Sequence, residues 1–285
     1  MIEPMRTLWR AILRRFEFRR RVPGRPWYQI LWYDFCESAC RASFRLWYGL
    51  RIEGERHVPE EGPVVFVSNH QSFLDPILNG MPVVDRQLTA IARETLFRNR
   101  AFAWLLRSYG AIAIRDERGD AGAMRAALAE LAAGRCVLIY PEGSRSDDGS
   151  IQEFKRGVGL LIKRAKVPVL PMAVDGAFDV WPPDRARPAL RGRVGVRVGE
   201  PIPCDELLRD GIEAGLERLR REVESLRLGL RGEMRRASGG RWPLPGPTDE
   251  PYWARVAAPQ SAAEAAGAPS PRAPADASDC AGDRA

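Results

Sequence analysis

The chain has 285 residues, of which 45% are hydrophobic and 28% charged, and a net charge of +7 at neutral pH. This is enough apolar material for one large domain with terminal extensions, and it excludes a chain disordered throughout. The positive balance favours an anionic partner such as nucleic acid, phospholipid headgroups or a phosphorylated substrate. Only Lys155, Lys163 and Lys166 are lysines, so arginine carries nearly all of that charge.

Residues 1–50 are the most unusual stretch, with four of the eight tryptophans and ten arginines against four acidic residues. Met5, Leu8, Trp9, Ile12, Leu13 and Phe16 recur at helical spacing, with Arg6, Arg10, Arg14 and Arg15 largely elsewhere, which predicts an amphipathic basic helix. Pro23, Gly24 and Pro26 break it. A second helix is predicted from about Trp27 to Tyr48, carrying Ile30, Leu31, Trp32, Phe35, Phe44, Trp47 and Tyr48. Such a pair can lie in the headgroup layer of an anionic membrane, or pack as an ordinary amphipathic element on its own domain. No apolar run approaches the ~18–20 residues that a spanning helix needs. The expected location is therefore peripheral, on the cytoplasmic face of a membrane.

From Val64 onward the pattern changes to short β-branched runs separated by helical stretches. Strands are predicted at 64–67, 88–91, 111–114, 137–140, 169–174 and 194–198, with helices at 121–133 and 157–166 between them. Alternation of this kind favours an α/β fold with a mixed, largely parallel central sheet flanked by helices. Ile212, Leu216, Leu219, Val223, Leu226 and Leu230 step by four and three, which predicts a long amphipathic helix docked on the domain. Beyond residue 238 the composition turns to Ala, Pro, Ser and Gly. The expected organisation is an amphipathic docking element at 1–49, a main domain at 50–237 and a disordered tail at 238–285, within which 241–256 could dock locally.

Two loops following strands carry candidate chemistry. His70 lies in Ser68-Asn69-His70-Gln71-Ser72-Phe73-Leu74-Asp75-Pro76, directly after the strand at 64–67, where an imidazole can exchange protons near neutral pH. Asp75 would point away from His70 on a regular helix, but a turn through Ser72 would fold the carboxylate back onto the ring. Asp followed by Pro also suits a helix start, so Asp75 as a cap stays an open alternative. Tyr140-Pro141-Glu142-Gly143-Ser144-Arg145-Ser146 follows another strand, and its amides, hydroxyls and guanidinium could converge on an anion or form an ordinary polar turn. Five cysteines and two histidines show neither disulfide-scaffold nor zinc-site spacing. No metal and no cofactor are expected, and the cysteines suit a reducing compartment.

Together these two segments resemble the glycerolipid acyltransferase family, which includes 1-acylglycerol-3-phosphate acyltransferases. Asn69-His70 with Asp75 is similar to its N-H-x-x-x-x-D motif, and Glu142-Gly143-Ser144-Arg145-Ser146 to its F-P-E-G-T-R-S motif, with Tyr140 and Ser144 replacing Phe and Thr. Gly110–Arg115, Phe154–Gly157 and Val167–Pro171 resemble further family blocks in the expected order, over roughly residues 50–200. The resemblance implies transfer of a fatty acyl group from acyl-CoA or acyl-carrier protein to a lysophospholipid hydroxyl. It also implies His70 as base and Asp75 as its partner, with Asn69 supporting. Arg115, Glu142, Gly143, Ser144, Arg145, Ser146 and Lys155 would form the acceptor- and phosphate-binding set, in which Glu142 would organise the pocket or the acceptor hydroxyls. The rival expectations are a lipid thioesterase using the same His/Asp pair on water and a noncatalytic lipid-binding protein. Nucleic acid is not an expected partner, because basic and aromatic residues mix mainly in the first 50 positions rather than along the core domain.

Overall fold

The computed structural model describes residue 24 and residues 26–257, apart from residues 84–85, 94–96, 99, 109–110 and 115–119. The predicted helix at 5–16, Arg115 and the tail from 258 lie outside the described residues. The chain divides into two units, 1–252 and 253–285, and the first carries everything described below except the end of the last helix.

Helix α1 (Trp27–Tyr48) matches the predicted span and stops where Gly49 takes a left-handed conformation, its N–H bonding to the Phe44 carbonyl. There follow β1 (Arg51–Glu53), β2 (Val64–Ser68), α2 (Asp75–Gly80), β3 (Leu88–Arg93), α3 (Arg100–Ser108) and β4 (Ile112–Ile114). Next come α4 (Asp120–Ala132), β5 (Cys136–Ile139), α5 (Arg156–Ala165), β6 (Val169–Asp175), α6 (Ala177–Val180) and β7 (Gly195–Val198). The order ends with α7 (Cys204–Leu207), α8 (Ile212–Ala237) and α9 (Tyr252–Ala257).

The seven strands among the described residues form one sheet in the order β1-β7-β6-β2-β5-β3-β4. Every pairing is parallel except β6 with β7, as expected for an α/β chain covered on both faces. Strand alternation explains the two cores. Val64 and Phe66 of β2 point into a cluster with Leu138, Met172 and Val196 that α1 and α2 cover. Val65 and Val67 point into the opposite cluster, under α4, α5 and α8. The six predicted strands are all present. The seventh, β1, escaped prediction because three residues of the type Arg-Ile-Glu carry no apolar run.

The long C-terminal helix docks as expected, and one boundary after it is corrected. The docked face of α8 is apolar at Leu216, Leu219, Val223 and Leu230 as predicted, yet Glu224 and Arg227 are completely buried in the same helix. Arg227 pairs with Asp175 at the end of β6 and with Glu224 at 3.1 and 2.7 Å, and Arg231 reaches Asp175 at 2.9 Å. The tail boundary expected at 238 is corrected in the way left open for 241–256, because residues of that stretch are held by α8. Asp249 bridges Arg231 and Arg235 at 2.6 and 2.7 Å, and Arg227 donates to the Thr248 carbonyl at 2.8 Å. The buried guanidinium groups have more donors than the strand can satisfy, and the segment 238–252 supplies the missing acceptors.

Candidate active site

Strands β2, β5 and β6 are adjacent, and the loops leaving their carboxyl ends converge, which is the usual ligand-binding end of a parallel sheet. The loop after β2 folds round Asp75. One carboxylate oxygen, Oδ2, accepts from His70 Nδ1 at 2.7 Å and from the backbone N–H groups of Gln71 and Ser72 at 2.6 and 2.7 Å. Asp75 is thus the first residue of α2 but caps nothing there. It organises the turn that precedes it, and the two side chains five positions apart meet.

Three further contacts fix His70. Its ring stacks on Tyr140 with centroids 4.0 Å apart and planes 15° from parallel. The Tyr140 hydroxyl accepts from Asn79 Nδ2 at 3.2 Å, and Asn79 in turn accepts from Ser68. The backbone N–H of His70 donates to Glu142 at 2.7 Å, and its carbonyl accepts from the Ser146 N–H at 2.8 Å. With Nδ1 held by Asp75, Nε2 has no protein partner among the described residues, and the side chain remains 19% exposed. That is the arrangement of an imidazole poised to accept a proton at Nε2.

Asn69 anchors the loop to the neighbouring strand. Its Nδ2 donates to the Val174 carbonyl at 2.9 Å while its Oδ1 accepts from the Val174 N–H at 2.8 Å. Gln71 donates to the same carbonyl at 2.6 Å.

The second segment turns at Gly143, whose φ of 76° belongs to the left-handed region and whose missing Cβ leaves room for the Lys155 side chain. Ser144 is exposed beside it. The Arg145 guanidinium lies 3.6 Å over the Phe73 ring, and its Nη1 is buried without an acceptor among the described residues. Burial lowers its pKa, partly offset by the negative charge of Asp75. A half-buried cation with an unused donor beside His70 is suited to receive an anion.

An acyltransferase family model matches residues 49–175. Human 1-acyl-sn-glycerol-3-phosphate acyltransferase beta is 32% identical over 188 residues, covering 64% of this chain and 67% of that protein. The chain belongs to the acyltransferase family. The bovine alpha acyltransferase of the same name is 36% identical over 184 residues, so the aligned region spans 62% of the length of that relative. Among solved structures, the 1-acyl-sn-glycerophosphate acyltransferase PlsC from Thermotoga maritima superposes with a TM-score of 0.57 at 25% identity, covering 68% of this chain and 79% of that one.

Within this acyltransferase domain, the structure brings His70, Asp75, Asn69, Glu142, Gly143, Arg145 and Lys155 into one neighbourhood. Ser146, expected to bind the acceptor, is turned to another use, whereas Glu142 organises the site. Ser146 is buried, its hydroxyl donating to Asp148 at 2.9 Å and accepting from Gln152 at 3.3 Å, so it shapes the turn instead of facing a ligand. Glu142 is also buried, and its two oxygens accept from the N–H groups of His70 and Gln152 at 2.7 and 3.1 Å. It ties the two motif loops together from behind. Phe73 and Trp181, whose rings lie 5.1 Å apart beside Arg145, had no sequence signal beyond being aromatic.

Burial pushes the Glu142 carboxyl up to about 8, against the opposing pull of the His70 and Gln152 N–H donors, with Asp75 adding repulsion. Its folded pKa therefore lies above its unfolded value. The associated stability is fully present below the ordinary carboxylate range and is lost as pH rises through about 8. Glu142→Gln should flatten the fall in melting temperature between weakly acidic and weakly alkaline pH. It should also lower the acidic-pH value by several degrees, because one of two buried N–H groups then faces an amide donor. Thermal melts across pH measure both, and an unchanged slope would reject the assignment.

Proposed function

We propose that the protein transfers a fatty acyl group from a thioester, acyl-CoA or acyl-carrier protein, to the hydroxyl of a lysophospholipid, converting 1-acylglycerol-3-phosphate to phosphatidic acid. The observation that carries this reading is the His70–Asp75 contact of 2.7 Å beside the unpaired Nη1 of Arg145. His70 Nε2 takes the proton of the acceptor hydroxyl as its oxygen attacks the thioester carbonyl. Asp75 stabilises the imidazolium, which then returns the proton to the departing thiolate. Arg145, with Lys155 and Ser144 at the Gly143 turn, holds the acceptor phosphate, and Arg115 is proposed to join them. Glu142 positions His70 through its main chain. The names of the relatives support the acceptor class.

The membrane completes the proposal. Trp27, Tyr28, Leu31, Phe35, Leu46 and Trp47 of α1 are exposed, while Ile30 and Tyr33 pack inward. No helix among the described residues is long and apolar enough to cross a membrane. The outward aromatic face of α1, together with the basic segment before it, docks on the cytoplasmic face of an anionic bilayer.

The deciding assay crosses thioester donors with phosphate-bearing and neutral acceptors and reads acylated lipid by mass spectrometry. Acylated lysophosphatidic acid is the expected product. Free fatty acid without acylated acceptor would replace transfer by hydrolysis. In the same assay Arg145→Ala should raise KM for the phosphate-bearing acceptor by about 10–100-fold, the loss of a charge-assisted pair of bonds, with kcat little altered. Arg145→Lys should recover only part, since an ammonium cannot fork onto phosphate.

A further inference from the structure

The segment between α6 and β7 belongs to neither motif and lies beyond the matched residues 49–175, yet it joins the catalytic loop to α1. At its start, the Trp181 carbonyl accepts from the Ser72 hydroxyl at 2.7 Å and the Trp181 ring packs on Phe73. At its far side, the Tyr48 hydroxyl donates to the Ala189 carbonyl at 3.0 Å, and the Val194 N–H donates to the Tyr48 carbonyl at 3.3 Å. The Ala189 N–H returns to the Val180 carbonyl at 2.7 Å, and Trp181 Nε1 donates to the Arg185 carbonyl at 2.9 Å. The loop is thus closed at its base and presents a tip.

That tip combines exposed arginines with an apolar side chain. Arg185, Arg187 and Arg191 are exposed, and none has an ion-pair partner among the described residues. Asp184 is the only acidic residue between 181 and 193. Leu190 is 82% exposed, adjoining the end of α1 where Leu46 and Trp47 are 83% and 63% exposed. An intramolecular role would pair these charges and cover the leucine. A surface of anionic headgroups over an apolar layer satisfies both at once.

We infer that the 181–193 loop is a second lipid-contacting surface, which binds anionic headgroups through Arg185, Arg187 and Arg191, inserts Leu190, and sets the mouth of the His70 site against the bilayer. The inference rests on the docking reading above and deepens it, because α1 alone would leave the chain free to tilt about one helix.

The test is flotation of the full chain with phosphatidylcholine vesicles, with and without phosphatidylglycerol. Three variants accompany wild type: the triple Arg185→Gln, Arg187→Gln, Arg191→Gln; Leu190→Asp; and an α1 variant, Trp27→Ser with Phe35→Ser and Trp47→Ser. The triple variant should partition on the order of a hundredfold more weakly onto phosphatidylglycerol-containing vesicles, at the usual contribution per basic residue near the surface. It should change little on phosphatidylcholine alone. Leu190→Asp should weaken binding to both, and melting temperatures should stay at the wild-type value because these side chains are exposed. If both loop variants bind like wild type while the α1 variant does not, the loop inference fails and the docking reading stands. If wild type itself ignores both vesicles, both fail.

Discussion

Replacing His70 by alanine lowers kcat for acyl transfer by a factor of about 10²–10⁴, the usual contribution of a positioned general base, while acceptor KM stays within a few-fold. The expectation follows from how little else the imidazole supports. Asp75 keeps the N–H groups of Gln71 and Ser72 when the ring is gone, so its buried carboxylate is not left bare. The main chain at position 70 stays tied to Glu142 and Ser146. The variant should fold and bind acceptor but lack the proton acceptor, which acylated-product analysis alongside a thermal melt would show. Wild-type turnover in that variant would remove His70 from the chemistry.

The second large effect is on stability. Arg227→Ala should destabilise the chain by about 3–5 kcal/mol, as breaking one partner of a buried ion pair generally does. The residues left behind explain the size. Glu224 loses two hydrogen bonds at 2.7 and 3.1 Å and, among the described residues, keeps only the Tyr252 N–H at 3.2 Å. The Thr248 carbonyl loses its donor, and Asp175 retains Arg231 alone. The discriminating comparison is the double variant Glu224→Leu with Arg227→Met, which removes both charges and fills the space. It should melt above the Arg227→Ala single variant, because an uncompensated buried carboxylate costs more than a lost pair. Denaturant unfolding of the three proteins measures the difference. A double variant less stable than the single would mean that the pair itself stabilises the fold.

The sheet and the placement of His70 at a strand end were legible in the sequence for physical reasons. Strands buried on both faces must be continuous β-branched runs, as at Val64–Val67, and a histidine directly after one such run is placed at a strand end by chain geometry alone. Other features have no local signature. Glu142 sits in an exposed-looking polar turn, and only the tertiary approach of the His70 main chain makes it a buried brace. Ser146 was expected to face the acceptor because hydroxyls bind phosphate, but Asp148 two residues on captures it. The 4-3 spacing of α8 announces an apolar face and cannot reveal that Glu224 and Arg227 share it. Their partners come from Asp175 and from the segment 238–252, whose composition reads as tail.

The link between Asn69 and Val174 has an uneven consequence for substitution. Strand β6 offers position 69 only main-chain atoms, one N–H and one carbonyl, so the identity of the side chain at 174 matters only for packing, and isoleucine there should be tolerated. Position 69 has no such freedom. A carboxamide both gives and receives, whereas isosteric aspartate would set an oxygen against the Val174 carbonyl and leucine would satisfy neither atom. In a saturation library of this domain, the residue one step from the histidine should therefore be among the least replaceable, although its own side chain is buried against a strand.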